Sequence, residues 1–156
     1  MTTETGAPAI TVAELQARID RIPFNKWLGL TLVEFTPNGV RLTTRWRDEM
    51  TGVPELPAIH GGILASLIDS GGSYAIARGL GRAVPTVDLR IDYHAAAAPG
   101  DLTILGELIH LGRTVSTAET KIHSASGKLL ASGRGVYFTA PARYEVKLPA
   151  DGNGTQ

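Results

Sequence analysis

Residues 60–77, HGGILASLIDSGGSYAIA, constrain the fold more than any other stretch, because an apolar helical run begins at a glycine pair and contains an ionisable side chain. Its isoleucines and leucines fall on more than one side of a helix, which predicts a helix covered by neighbours on most sides. Asp69 lies inside this run, and removing an ionised carboxylate from water costs free energy unless it is paired or its pKa shifts. The rest of the chain is therefore expected to wrap this helix, and Asp69 needs an explanation.

The composition excludes several classes of protein. A chain of 156 residues with 43% hydrophobic residues fits one domain with a sizeable core. Fifteen basic and fifteen acidic residues give no net charge, which argues against nucleic-acid or membrane-surface binding. The chain has no cysteine, and its four histidines show no ligand-pair spacing, so we expect no metal site. Without a secretory signal or membrane-spanning stretch, the prediction is a cytoplasmic protein.

Helix and turn signals precede the long helix. A capping box at residues 11–14 predicts a helix that ends near residue 21. Residues 30–35 and 40–46 are short apolar and β-branched runs joined by Thr-Pro-Asn-Gly, which predicts a β-hairpin. Residues 47–59 lack periodicity and contain two prolines, so we predict a loop that leads into the long helix.

The second half of the chain has the pattern of consecutive strands. Residues 86–93 alternate apolar and polar side chains, which predicts a strand with one face inside and one face in water. Residues 102–111, 114–123 and 129–139 are predicted to be three further strands. The order favours an α+β fold in which an antiparallel sheet of about six strands wraps around one long central helix. The predicted domain division is a disordered N-terminus (1–10), a single domain (11–140) and a C-terminal tail (141–156).

Four stretches carry a resemblance to a known family: His60-Gly61-Gly62 with Asp69 nine positions after the histidine, residues 86–93, Gly112-Arg113, and Gly127-Lys128 through Gly133-Arg134. On these motifs, and over most of its length, the chain resembles the hotdog-fold acyl-CoA thioesterases, in particular the phenylacetate-degradation (PaaI-like) type and its relative acting on hydroxybenzoyl-CoA. The resemblance implies a hotdog fold and dimers whose sheets join edge to edge, often paired into tetramers. It also implies hydrolysis of an acyl-CoA thioester without a metal or redox cofactor.

The resemblance implies roles for five residues. Gly61, with His60 beside it, matches the backbone amide site that polarises the thioester carbonyl in this family. Asp69 matches the nucleophile or general base. Thr86 matches a hydroxyl residue that helps to place the water in some members, and Ser73 matches a hydroxyl position used similarly in others.

One position departs from the family pattern. Relatives usually carry Asn or Gln six residues before the histidine, and this chain has Pro54, whose side chain cannot hydrogen-bond. Either Glu55 or another group takes over that contact, or the site works with fewer contacts, or this chain is less active on the usual substrates of the family.

Substrate contacts are expected at Gly62 and at the position of Pro54. The phosphates of CoA require a few placed cations in a protein without net charge. Arg113 is the first candidate and Arg90 the second, with Lys128 and Arg134 as further candidates.

Helix geometry predicts that the two catalytic parts come from different chains. The Gly61 and Gly62 amides at the start of a helix are expected to be unpaired, and the helix dipole favours negative charge there. Asp69 lies eight residues beyond Gly61, a rise of about 12 Å along a helix. An aspartate side chain does not span that distance, whereas two antiparallel helices across a two-fold axis would bring Asp69 of one subunit opposite Gly61 of the other.

Each of these residues also has a purely structural interpretation. Asp69 could be a buried, hydrogen-bonded residue of a helix interface, and Thr86 an ordinary strand residue. His60 could cap the helix rather than act on substrate. Gly71 and Gly72 are expected to permit close helix packing, because glycine inside a helix costs about 1 kcal/mol and needs a packing reason.

Three functions remain open on the sequence. The leading hypothesis is an acyl-CoA thioesterase, and the alternative is a non-catalytic hotdog protein that binds acyl-CoA or another apolar ligand. A dehydratase acting on enoyl thioesters is a third possibility. The sequence does not determine the acyl group or choose between dimer and tetramer.

Overall fold

The structure, a computed structural model, describes residues 10–141 of the chain. Residues 1–9 of the predicted disordered N-terminus and residues 142–156 of the predicted tail lie outside the described residues, so the domain division stays a prediction. Within residues 10–141, no helix is long and apolar enough to cross a membrane.

The described residues form a six-stranded antiparallel sheet that packs against one long helix. The helices are α1 (Val12–Asp20), α2 (Pro23–Leu28) and α3 (Gly61–Leu80), with a 3₁₀ turn at Asp48–Met50, and the strands are β1 (Thr31–Thr36), β2 (Gly39–Thr44), β3 (Thr51–Val53), β4 (Leu56–Ile59), β5 (Thr86–Tyr93), β6 (Leu102–His110), β7 (Val115–Ser124) and β8 (Leu129–Phe138). The strand order in the large sheet is β1-β2-β6-β7-β8-β5, and β3 pairs with β4 in a separate hairpin. The predicted α+β fold, with about six strands around a central helix, is confirmed.

Helix α3 buries side chains on several sides, as its sequence predicts. Its buried apolar residues pack against inward-facing residues of the sheet, among them Leu42, Ile104 and Ile122. Gly81, with φ of 66°, ends the helix in the left-handed conformation that glycine adopts without strain.

Two glycines of α3 let the helix lie unusually close to the sheet. A Cβ placed on Gly106 of β6 would come within 2.0 Å of the Gly71 carbonyl oxygen, so helix and strand backbones nearly touch there. A Cβ on Gly72 would come within 2.2 Å of the Tyr137 hydroxyl oxygen. The packing role predicted for the glycine pair is confirmed.

The N-terminal helices cover one side of α3. The predicted capping box is present, since the Glu14 amide donates to Thr11 Oγ1 at 3.2 Å and the Thr11 amide donates to Glu14 Oε2 at 2.8 Å. Helix α1 ends within one residue of the prediction, but the six-residue α2 was not predicted. Pro23 is its first residue, where a missing N–H costs nothing because the first helical amides have no partner within the helix.

Two local predictions are wrong in part. Residues 47–59 were predicted to be a loop, but they contain the 3₁₀ turn and the β3–β4 hairpin, whose strands are too short for alternation to be visible. Strand β5 was predicted to have one face inside, but only Leu89 and Ile91 pack against the core, while Val87 is 61% and Tyr93 55% exposed. The reason is that β5 is an edge strand, and the rest of the chain covers only its middle.

Candidate active site

Asp69 and Thr86 are brought together, although seventeen positions separate them in the sequence. Asp69 lies half-buried on α3, and Thr86 is the first residue of β5. The Thr86 hydroxyl donates a hydrogen bond of 2.7 Å to Asp69 Oδ1. This bond fixes one carboxylate oxygen and leaves Oδ2 for a water molecule or a substrate.

Tyr137, which the sequence analysis did not select, holds the helix backbone at Asp69. Its hydroxyl donates to the Asp69 carbonyl oxygen at 3.1 Å, and its side chain is fully buried. Burial first, then the negative charge and hydrogen bonding of Asp69, raise the pKa of Tyr137 far above its ordinary value of 10.0. Tyr137 is therefore a neutral hydrogen-bond donor over the whole physiological pH range. Two glycines, Gly72 and Gly135, lack the side chains that would collide with its phenol, and they are the sequence signal for it.

Asp69 faces a cavity of about 580 Å³ between α1, α2 and α3. Ser66, Ser70 and Ser73 of α3 line the same wall as Asp69. The Ser66 and Ser73 hydroxyls donate to carbonyls of their own helix, at 2.9 and 3.1 Å respectively, so each retains only acceptor capacity toward the cavity. The opposite wall is mainly apolar and includes Leu15, Ile22, Phe24 and Val84. Ser73 thus shares a cavity with Asp69, but no hydrogen bond joins the two side chains.

His60 caps the first turn of α3. Its Nδ1 accepts a hydrogen bond of 2.8 Å from the Gly62 amide. The prediction that both glycine amides are unpaired is therefore wrong for Gly62, because the imidazole folds back over the helix end. The Gly61 amide has no acceptor within residues 10–141. Of the two glycine amides, Gly61 is the one able to stabilise a developing oxyanion.

Gly61 lies in a different cavity from Asp69. This second cavity, of about 350 Å³, is also lined by Leu64, Tyr93, His94 and residues 95–97. The Tyr93 hydroxyl donates to the Gly61 carbonyl oxygen at 2.9 Å and so ties the end of β5 to the start of α3. Neither cavity contains both Gly61 and Asp69, which agrees with the separation expected from the helical rise.

The predicted substrate-binding positions outside α3 lie away from both cavities. Pro54 is exposed in the turn between β3 and β4, and Arg113 is exposed between β6 and β7. Arg90 lies with Lys121 and Arg134 in a shallow depression on the large sheet, with its Nη2 3.6 Å from an oxygen of Asp92. Their roles in binding stay predictions.

Three other arginines, which the sequence analysis did not select, line the Asp69 cavity: Arg18, Arg21 and Arg82. Arg18 lies on α1, Arg21 is the C-cap residue of α1, and Arg82 lies in the segment after α3. Within residues 10–141, no three histidine or acidic side chains are grouped closely enough to hold a metal ion.

Comparisons with known proteins identify the family and the fold. The family model of the thioesterase superfamily matches residues 56–131. An X-ray structure of a thioesterase superfamily protein has 43% sequence identity and a TM-score of 0.79, over 83% of this chain and 98% of its own. Acyl-coenzyme A thioesterase 13 of Mus musculus is 30% identical over 108 residues, which are 67% of this chain and 76% of the mouse protein. The medium/long-chain acyl-CoA thioesterase YigI of Escherichia coli K12 is 25% identical over 132 residues, which are 75% of this chain and 85% of that protein.

Proposed function

The chain belongs to the thioesterase superfamily, and we propose that it hydrolyses an acyl-CoA thioester at a site shared by two subunits. In this proposal, Asp69 of one subunit supplies the carboxylate, and Gly61 of the partner subunit supplies the backbone amide that binds the thioester carbonyl oxygen. The names of the mouse and Escherichia coli relatives support CoA thioesters as the substrate class. No metal or redox cofactor takes part.

The observation that carries the proposal is the division of the two groups between two cavities. Asp69, hydrogen-bonded by Thr86, lines one cavity, and Gly61, whose amide has no acceptor within residues 10–141, lines another. Eight residues of helix separate them, which is a rise of about 12 Å. A two-fold axis that places two α3 helices antiparallel would create two equivalent complete sites.

The edge of the sheet supports a dimer of this kind. Within residues 10–141, strand β5 has no neighbour on one side, and its Val87 and Tyr93 are 61% and 55% exposed. An edge strand has free backbone groups that can pair with another strand, and exposed apolar side chains favour such a contact. Pairing of two β5 strands would join two sheets edge to edge. The same contact would cover Val87 and bring the segment that carries Thr86 to the interface.

The hydrolysis can follow either of two balanced routes. In the first, Asp69 Oδ2 attacks the thioester carbon, the carbon–sulfur bond breaks and CoA leaves as the thiolate. Water then hydrolyses the mixed anhydride, which restores the Asp69 carboxylate, and the proton that this water releases passes to the thiolate. In the second, Asp69 accepts a proton from water, the resulting hydroxide attacks the carbon, and the departing thiolate takes up the proton. Both routes give a carboxylic acid and free CoA thiol.

Both routes place negative charge on the carbonyl oxygen in the transition state. The amide of Gly61 at the positive end of α3 is oriented before the reaction begins, and one such donor contributes about 3 kcal/mol. His60 acts indirectly in this proposal, because its imidazole holds the first turn of the helix by accepting from Gly62.

The direct test is release of free thiol from a panel of short, medium-chain, long-chain and aromatic acyl-CoA thioesters. Replacement of Asp69 by Asn should lower kcat by about 10²- to 10⁴-fold, because it removes the nucleophile or base. The variant should keep its fold and its dimer, measured by circular dichroism and sedimentation. Asp48→Asn is the matched control, because the Asp48 side chain is exposed and makes no described hydrogen bond. Full activity of Asp69→Asn on every substrate would contradict the assignment.

The second candidate is a non-catalytic protein that binds acyl-CoA. Pro54 favours it, because an amide side chain is usual at this position in the family and the proline offers no hydrogen bond. The same panel separates the two functions. Tight binding of an acyl-CoA without thiol release would support the binding protein.

A further inference from the structure

The far end of the Asp69 cavity carries a concentration of positive charge. Arg18, Arg21 and Arg82 line it, whereas Asp69 is the only acidic residue of its lining. The whole chain has equal numbers of basic and acidic residues, so this excess is local. A local excess of guanidinium groups beside an apolar wall favours a ligand that is apolar along its length and anionic at one end.

Two of these arginines are held in place by backbone carbonyls. Arg18 Nη1 donates to the carbonyl oxygen of Gly81, at the end of α3, and Arg82 Nη2 donates to the carbonyl oxygens of Thr139 and Ala140. A guanidinium has five N–H donors, so each retains donors for another acceptor. These bonds fix the two side chains before any ligand arrives, which lowers the entropy lost on binding.

Arg21 differs from the other two. Its side chain makes no hydrogen bond or salt bridge with any residue in the range 10–141, although it lines the cavity. Arg21 is exposed, and no contact within the described residues competes with a ligand for its guanidinium. Its replacement also removes no described contact that stabilises the fold.

The length of the helix sets the distance between the two ends of the cavity. Twelve residues separate Asp69 from Gly81, whose carbonyl holds Arg18, and this corresponds to a rise of about 18 Å. An extended chain advances about 3.3–3.6 Å for every three backbone bonds, so about fifteen bonds span this distance. A long unbranched acyl chain has this reach, and so does the pantetheine arm of CoA.

We propose that the arginines of this cavity form an anion subsite, in which Arg21, together with Arg18 and Arg82, binds an anionic group at the end of a long chain of the thioester. The helical rise to Gly81 corresponds to about fifteen bonds between the carbonyl and the group that Arg18 contacts. The inference rests on the proposed thioesterase function and names a feature of its substrate. Two parts of an acyl-CoA supply such a group: the phosphates beyond the pantetheine arm, or a carboxylate that ends the acyl chain. Guanidinium groups bind phosphate and carboxylate in the same forked geometry.

The competing interpretation is that the arginines only stabilise the carboxyl end of α3, where cationic side chains commonly bind the last carbonyls. Arg18 fits that interpretation as well as the proposed one, because it donates to the Gly81 carbonyl. Arg82 fits it less well, because the carbonyls to which it donates belong to Thr139 and Ala140, after β8. Arg21 does not fit it. The decisive variant is therefore Arg21→Gln.

The experiment compares four substrates: tetradecanoyl-CoA, tetradecanedioyl-CoA, tetradecanoyl-pantetheine and tetradecanedioyl-pantetheine. The pantetheine esters lack the phosphates, and the tetradecanoyl esters lack the terminal carboxylate. If the subsite binds phosphate, Arg21→Gln should raise KM about tenfold for both CoA esters only. If it binds the acyl carboxylate, KM should rise about tenfold for both tetradecanedioyl esters only. In either case kcat should stay unchanged, because Arg21 does not contact the reacting atoms, and Arg21→Lys should recover part of the loss.

Arg45→Gln is the matched control, because Arg45 is exposed and lines none of the three described cavities. An equal change of KM for all four substrates, no change for any, or the same change in Arg45→Gln would overturn the inference. Tetradecanoyl-pantetheine carries neither the phosphates nor the terminal carboxylate. Its hydrolysis by the wild type therefore tests the proposed thioesterase function separately from the anion subsite. If no thioester is hydrolysed, the thioesterase proposal fails. Calorimetry can then measure the dissociation constants of the four corresponding S-alkyl thioethers. The same comparison of the wild type with Arg21→Gln tests the anion subsite without hydrolysis.

Discussion

Two regions of α3, the first turn at Gly61 and the middle of the helix at Asp69, differ in how completely one chain supplies their contacts. Around Asp69, the Thr86 hydroxyl binds the side chain, the Tyr137 hydroxyl binds the backbone, and the missing side chain of Gly72 leaves room for the phenol. Around Gly61 the amide has no acceptor within residues 10–141. The packing of one chain therefore positions Asp69, whereas in the proposed mechanism the Gly61 amide finds its acceptor in a substrate held with a partner subunit.

Among the residues that contact Asp69, the largest effect is expected from Thr86→Val, which keeps the shape of the side chain and removes its hydroxyl. The hydrogen bond to a carboxylate is charge-assisted, so kcat should fall about ten- to hundredfold. Thr86→Ser should keep most of the activity, because the hydroxyl remains. Steady-state kinetics of both variants test this. Equal rates in Thr86→Val and the wild type would mean that the 2.7 Å bond does not orient Asp69 for catalysis.

A pair of glycine variants tests the contrast in packing. In Gly72→Ala the new methyl group would lie 2.2 Å from the hydroxyl oxygen of the fully buried Tyr137. Helix or phenol must shift, which should lower the free energy of unfolding by about 1–3 kcal/mol. In Gly61→Ala the methyl group would make only ordinary contact with Tyr93 at 3.5 Å, so the change should stay within about 0.5 kcal/mol. Urea unfolding measures both, and similar losses in the two variants would contradict the contrast.

Alkaline pH should lower the free energy of unfolding through the buried tyrosines that pack near Asp69. Burial raises the pKa of Tyr74 as well as that of Tyr137. Since each phenol holds its proton more tightly in the folded protein, its contribution is complete below the ordinary pKa of 10.0 and is lost as the pH rises above that value. Each group should lower the free energy of unfolding by up to about 1.4 kcal/mol per pH unit in that range. Urea unfolding of wild type and Tyr137→Phe between about pH 9 and 11 tests this, and identical slopes would contradict it.

The elements that the sequence predicts are those with long periodic patterns or strong local signals. Helix α3 has apolar residues at helical spacing and ends at Gly81, and the capping box starts α1. The four later strands are eight to ten residues long, which makes the pattern of their side chains readable. By contrast, α2 has six residues, and β3 and β4 have three and four, too few for a period to emerge.

In the candidate site, the motif and its spacing predicted which residues of α3 matter. They did not predict the contacts that distant segments of the chain make with that helix. The separation of Gly61 and Asp69 follows from the helical rise alone. The use of the Gly62 amide by His60 depends on a side-chain rotamer, which no local pattern reveals. Tyr137, Arg18 and Arg21 come from remote parts of the chain, and only the packing of α1 and β8 onto α3 brings them to the helix and cavity that contain Asp69.

The central claim is that Asp69 and Gly61 act from different subunits, and mixed dimers test it most directly. Gly61→Pro removes the amide hydrogen, and proline is compatible with the first helical position after His60, whose ψ is 133°. Gly61→Ala, which keeps the amide, is the control. Asp69→Asn and Gly61→Pro should each be inactive alone.

After the two inactive variants are unfolded together and refolded, half of the randomly formed dimers contain one intact site. The account predicts recovery of about a quarter of the wild-type activity in this mixture. A mixture as inactive as its two components, with mixed dimers present by mass spectrometry, would place both groups in one chain and contradict the account.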